Sequence, residues 1–259
     1  VICVGIDLAW SYRNATGLAV VHLYPPSARV DFVDSCVVGS DEEILAWVRQ
    51  HRGPTTIVGI DAPLIAPNPA GTGRRCDREV TRVFGRYHAG TYPAHRDKCQ
   101  RPIQLCREFQ RLGFNPDPGG VPRQRGWWQI EVYPHPAQVA LFNLSRILKY
   151  KKGRVTERRK GLQQLAGHVR RTLSRQIPQL GSRGSLRELC TIPSSLRGRG
   201  LKNREDQLDA LLCAYIAGHY WFWGDKRWRV FGDVRRGYIV CPDIRKWPIK
   251  SAQLQSSLP

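Results

Sequence analysis

The sequence predicts an α/β domain built on a mixed central sheet, with the first three strands antiparallel, flanking helices and a C-terminal hairpin. Three observations carry this. Three apolar runs rich in Val and Ile follow one another across links too short for a crossover, so they pair antiparallel. A capped helix then leads into a fourth run, which must return parallel to a strand of the same sheet. Finally, the best helical pattern in the chain comes late, near residue 203. With 259 residues, 41% of them hydrophobic, the chain can bury one large core.

The opening strands are read at Ile2 to Leu8, Gly17 to Leu23 and Arg29 to Val37, joined by the turn-forming stretches "SYRNAT" and "YPPS". The first helix, "SDEEILAWVRQHRG", carries a capping box, with Ser40 three residues before Glu43, apolar Ile44, Leu45 and Val48, and Gly53 as a stop. The fourth strand is "TIVGIDAPL". Residues 66–125, rich in Pro and Gly, read as an insertion over the sheet with helices near Arg75 to Tyr87 and Ile103 to Leu112. A strand ending near Tyr133 and a helix from about Pro136 resume the pattern, and a basic helical segment spans residues 146–204. In "NREDQLDALLCAYIAGHYWFWG", Asn203 reads as the N-cap and Gly224 as the stop. "WRVFGDVRRGYIVCP" reads as a hairpin, so one domain covers residues 1–245 and residues 246–259 are expected to form a flexible tail.

A formal net charge of +20 favours polyanions through counterion release. The excess is concentrated: residues 146–204 hold seventeen Lys or Arg and two acids, a local +15. Nucleic acid, DNA or RNA, is the expected partner, with Lys149, Lys151, Lys152, Arg158, Arg159 and Lys202 in the basic segment and Arg74, Arg75, Arg78 and Lys98 in the insertion as candidate phosphate contacts. No run of 18 apolar residues suggests a membrane span, and the chain opens on a strand pattern with no secretory signature, so a cytoplasmic or nucleoid-associated protein is expected. The eight cysteines show no C-x-x-C spacing and read as free thiols.

Two strands end in the same tripeptide, Gly5-Ile6-Asp7 and Gly59-Ile60-Asp61. Side chains alternate along a strand, so each Gly shares a face with its Asp and leaves space beside it. In the late helix, Asp206, Asp209, Ala210, Cys213 and Ala217 form one stripe whose small residues would let the helix lie close on that glycine face. Glu131 closes a further strand. The expectation is an acidic cluster of Asp7, Asp61, Glu131, Asp206 and Asp209, of which Asp7, Asp61, Glu131 and Asp209 would ligate hard cations such as Mg²⁺ or Mn²⁺. Two such ions can activate water and stabilise the leaving oxygen in phosphodiester cleavage.

The strand-ending "GID", "GIDAPL", "RRCDR" at Arg74 to Arg78, "EVYPHPA" and "EDQLDALLCAYIA" resemble domain of unknown function family 429, over about Val1 to Pro242. That resemblance implies an RNase H-like fold and a metal-dependent nuclease. By motif it places metal ligands at Asp7, at Asp61 or Glu131, and at Asp206 and Asp209, the last two resembling the helix of RuvC-type resolvases.

Other readings stand beside these. Asp61 could initiate a turn before Pro63. Glu205 and Asp206 would sit in a first helical turn, where acids are favoured whatever the function. His88, His95, Cys76, Cys99 and Cys106 match no common zinc spacing. Trp127, Trp128, Tyr220, Trp221, Trp223 and Trp228 could stack on bases or form core. The alternative functions are a non-catalytic nucleic-acid-binding module and an ATP-dependent phosphotransferase of the actin and sugar-kinase architecture. Against the latter, Ala9, Trp10 and Ser11 follow Asp7 where phosphate-binding Gly and Thr would stand.

Overall fold

The structure is a computed structural model that describes residues 1–181 and 184–247. A six-stranded sheet forms its centre. Strands β1 (Ile2–Asp7), β2 (Thr16–Tyr24) and β3 (Arg29–Val38) make the antiparallel meander, with a bulge between Val20 and Val21. Helix α1 (Asp41–His51) follows, its capping box intact: Ser40 accepts from the Glu43 amide and the Glu43 carboxylate accepts from the Ser40 amide. It delivers β4 (Thr55–Ile60) parallel to β1, with Gly5 paired to Gly59. Beyond β4 lies β5 (Gly126–Glu131), also parallel, and the two-residue β6 (Gln179–Leu180) closes the far edge, giving the order β5-β4-β1-β2-β3-β6.

Strand alternation divides the core. Val4, Ile6, Leu18, Val20, Val58 and Ile60 face α1 and, from the insertion, α3 (Gln100–Arg111), through Ile44, Val48, Leu105 and Phe109. The opposite face, with Cys3, Ala19, Val21 and Ile57, is covered by α4 (Pro134–Phe142), α5 (Val155–Arg171) and the 26-residue α7 (Gly198–Trp223). Between α5 and α7 runs the short α6 (Ser185–Leu189). The insertion's other helix, α2 (Arg75–Phe84), packs Cys76, Val80 and Phe84 on the hairpin of β7 (Trp228–Asp233) and β8 (Gly237–Pro242).

Helix α7 begins earlier than the sequence suggests. Gly198 takes a left-handed φ of 55° and turns the chain into the helix, and buried Leu201, two residues before Asn203, extends the apolar stripe. Glu205 and Asp206 therefore lie beyond the first turn, and the helix dipole does not account for them. Gly224, at a φ of 49°, ends the helix as expected. Of the expected tail, residues 248–259 lie outside the described residues, whereas Trp247 is buried and donates from Nε1 to the Arg227 carbonyl at 2.8 Å. Among the described residues no helix is long and apolar enough to cross a membrane.

Candidate active site

The glycines of the two repeated tripeptides are where α7 touches the sheet. A Cβ on Gly5 would stand 1.8 Å from the Ala210 carbonyl oxygen, and one on Gly59 would stand 2.7 Å from that of Cys213. On the neighbouring strand, Gly17 pairs with Asp7 and lies just as close under Asp206. Only residues without a side chain permit this approach. Its consequence is that the acids of α7 meet the C-terminal ends of β1 and β4, which run parallel and finish side by side; the Asp61 amide donates to the Ile6 carbonyl at 2.9 Å.

Four aspartates converge there. Asp206 lies close enough to Asp7 for each carboxyl to influence the other's protonation, and Lys202 donates to Asp206 Oδ1 at 2.5 Å. Lys151, from the segment between α4 and α5, places Nζ 2.8 Å from Asp209 Oδ2 and 3.8 Å from Asp7 Oδ1. The Tyr150 hydroxyl donates to Asp209 Oδ1 at 2.6 Å, and Gln138 donates to the Tyr150 hydroxyl at 2.8 Å. Asp209 itself is fully buried. Its Oδ2, although beside Lys151, accepts no well-directed hydrogen bond. The Lys151 ammonium offsets the desolvation cost of that buried oxygen.

The electrostatics follow from this crowding. Burial raises the Asp7 carboxyl well above the ordinary range; Lys151 opposes the rise, and Asp209 and Asp61 add to it. Burial pushes Asp61 up to about 7, again against Lys151 and with Asp209. Burial disfavours the Lys151 ammonium, but Asp209 and Asp7 outweigh it and hold the amine protonated. Burial also brings the nearby His135 down to about 4, helped by Lys151, so this imidazole is neutral near pH 7. Lys151 beside Asp209 and Lys202 beside Asp206 supply two cations, and burial together with mutual repulsion favours the protonated forms of Asp7 and Asp61.

A family model described as a protein of unknown function, DUF429, matches residues 5–236. The chain belongs to the DUF429 family. A search of curated proteins finds no match.

In this DUF429 protein Glu131 lines the same cleft as Asp61 but is paired with Arg74 and not with Lys151. Arg74 grips it through both guanidinium nitrogens, at 2.6 and 2.8 Å, and the Leu64 amide donates to the same carboxylate at 3.0 Å. Arg74 also binds Asp77, and its side chain is buried, so it is not a surface phosphate contact. The network instead fixes the chain just after Asp61 to α2.

Other candidate phosphate contacts make intramolecular pairs, those of Arg75, Arg78 and Lys202 at the surface. Lys202 pairs with Glu205 and Asp206, and Arg158 with Glu205. Arg159 donates to the Leu196 carbonyl, Arg75 pairs with Glu79, and Arg78 donates to the Gly73 carbonyl. Lys149 and Lys152 are exposed. The candidate stacking tryptophans mostly pack the body. Trp127 stacks on Phe114 and donates to the Gly53 carbonyl, Trp228 donates to His219, and Trp221 donates to the Gln124 carbonyl. Cys76, Cys99 and Cys106 fall in three separate apolar clusters.

Among the described residues no three His, Cys, Asp or Glu side chains are already arranged to hold a metal ion, and Lys151 supplies the cation within the aspartate cluster. The donor chemistry nevertheless suits a hard divalent ion: all the groups are carboxylates, and a bound cation would take the place that the Lys151 ammonium holds beside Asp209 Oδ2. Neither Tyr150 nor Gln138 was signalled by any sequence spacing, and Lys151 was legible only as one base in a basic run.

Proposed function

We propose that this protein is a metal-dependent nuclease that hydrolyses phosphodiester bonds of DNA or RNA at the aspartate cluster. The observation that carries the reading is the convergence of Asp7, Asp61, Asp206 and Asp209 from two strand ends and one helix, enforced by glycines at the helix–sheet contact. The sheet, with three antiparallel strands followed by parallel β4 and β5 beside β1, and an acid-bearing late helix, supports an RNase H-like assignment. A pure backbone binder gains nothing from buried negative charge, which weighs against a non-catalytic module.

Asp7, Asp61 and Asp209 would hold Mg²⁺ or Mn²⁺, which when bound would activate water and stabilise the departing oxygen. The chain's own groups prepare that centre. Tyr150, itself fixed by Gln138, holds the Asp209 carboxylate in one orientation. Lys151 compensates the acids in the resting protein; its side chain is about one-third exposed and can turn outward to a substrate phosphate when another cation takes over that task. His135, lowered to about 4, stays neutral near pH 7 and is a weak base there.

Asp7→Asn tests the reading. It should abolish Mn²⁺-dependent cleavage while leaving salt-dependent nucleic-acid binding intact. Undiminished cleavage in this variant would overturn the assignment.

A further inference from the structure

Beside Asp61 opens a small cleft of about 80 Å³, lined by Trp10, Asp61, Tyr92 and Tyr133 and by the ion-paired Arg74 and Glu131. Its outer wall carries an unusual side chain. Tyr92 is 67% exposed, the most exposed large hydrophobic side chain among the described residues. Two lysines accompany it: Lys98 Nζ lies 5.2 Å from the centre of the Trp10 ring and 6.0 Å from that of Tyr92, and Lys152 Nζ lies 5.9 Å from the Tyr92 ring.

Both walls are held in place from behind. Arg101, buried, donates to the carbonyls of Ala9 at 2.7 Å and Ser11 at 3.0 Å, clamping the backbone on either side of Trp10. On the other side, the Thr91 amide donates to Thr81 Oγ1 at 3.0 Å, the Thr91 hydroxyl donates to the Asp77 carbonyl at 2.9 Å, and the Tyr133 hydroxyl donates to the Gly90 carbonyl at 2.9 Å. The cleft is therefore preformed, which lowers the entropic cost of filling it.

Exposed aromatic rings with ammonium groups lying over them match a nucleotide, whose base can take the ammoniums' place on the ring while its phosphates draw the displaced cations. We propose that this cleft is a subsite for one unpaired nucleobase of a nucleic-acid strand, stacked on Tyr92 with Trp10 as a second wall and Lys98 and Lys152 on the adjoining phosphates. The inference rests on the nuclease reading only for what happens next: Asp61 belongs to both the cleft and the aspartate cluster, so a base held here brings a neighbouring phosphate to the acids. A base stacked within an intact duplex cannot enter. The substrate is accordingly a single strand, a frayed end or an extruded nucleotide.

The test is binding in EDTA, where cleavage does not intervene, of a short single-stranded oligonucleotide and of the same strand with abasic sites throughout. Base–aromatic stacking is worth about a tenfold gain in affinity per base, so wild type should bind the base-bearing strand about tenfold more tightly than the abasic one. Tyr92→Ala should erase that ratio without weakening the abasic strand, and Tyr92→Phe should keep it. Equal affinity of wild type for both strands, binding to neither, or an unchanged ratio in Tyr92→Ala would overturn the subsite. Should Mn²⁺-dependent cleavage be absent while the ratio behaves as described, the nuclease reading fails and the subsite stands; cleavage without the ratio gives the reverse.

Discussion

Replacing Lys151 by Met removes the only ammonium in contact with Asp209 among the described residues and leaves the side-chain volume nearly unchanged. Breaking a fully buried ion pair by removing one partner costs about 3–5 kcal/mol. Here about one-third of the lysine side chain is exposed, so solvent screens part of the loss and about 2–3 kcal/mol is expected near neutral pH. In a chain of this size that corresponds to a Tm lower by roughly 5–10 °C. The cost should shrink in mildly acidic buffer, because Asp7 and Asp61, already raised, then take up protons in place of the missing ammonium. Thermal and urea unfolding in EDTA measure it, and Mn²⁺ should restore more stability to the variant than it adds to wild type. Adding Asp209→Asn to Lys151→Met should cost less than the two single changes together, since each removes the other's reason for being there. A loss below about 0.5 kcal/mol in EDTA, or full additivity with Asp209→Asn, would refute the idea that Lys151 neutralises the cluster.

Gly5→Ala should destabilise by at least the upper end of the about 1–3 kcal/mol typical of overpacking, because its Cβ meets backbone atoms of Ala210 and Ala214 rather than a side chain that can move. Gly39→Ala, whose nearest neighbour would be Glu43 Oε2 at 3.7 Å, is the control, and equal urea midpoints for the two variants would contradict the close helix–sheet contact. Asp61, at about 7 when folded and about 3.9 when unfolded, binds its proton more tightly in the native state, so its contribution to stability is present at low pH and is lost as pH rises through that window. His135, lowered to about 4, slopes the opposite way between about 4 and 6.5, so the comparison to make is between wild type and Asp61→Asn. The stability of Asp61→Asn relative to wild type, measured without divalent ions, should increase from pH 4 to pH 7, and a pH-independent difference would rule out the buried, raised carboxyl.

Much of this molecule was legible because its signals are local or strictly periodic. The capping box at Ser40 and Glu43, the period-two burial that puts Gly5 with Asp7, and the small-residue stripe on α7 each follow from one segment's own geometry. The start of α7 was misread because Asn203 is a good cap in isolation, whereas buried Leu201 extends the helix through tertiary contact. Glu131 could not be told from a cluster member by strand position, since its fate depends on Arg74, 57 residues away in sequence. Which basic residues are free to meet a partner depends on such distant contacts too. Arg74, Arg158 and Arg159 add to the net charge while their groups are engaged with carboxylates and carbonyls of the fold, whereas Lys202 pairs with its acids at the surface. Lys151 and Tyr150 were hidden in a basic run whose path over the aspartates only the packing of α4 and α5 determines.

The most direct test of the central claim is cleavage of labelled single-stranded, double-stranded, hybrid and branched nucleic acids in Mg²⁺, Mn²⁺ or EDTA, by wild type and Asp209→Asn in parallel. The aspartate cluster predicts products with wild type in a divalent ion, none in EDTA and none with Asp209→Asn, and the base-binding cleft predicts that unpaired strands are cut in preference to intact duplex. Products that persist in EDTA or in Asp209→Asn, or no products from any substrate, would contradict a metal-dependent nuclease centred on these four acids.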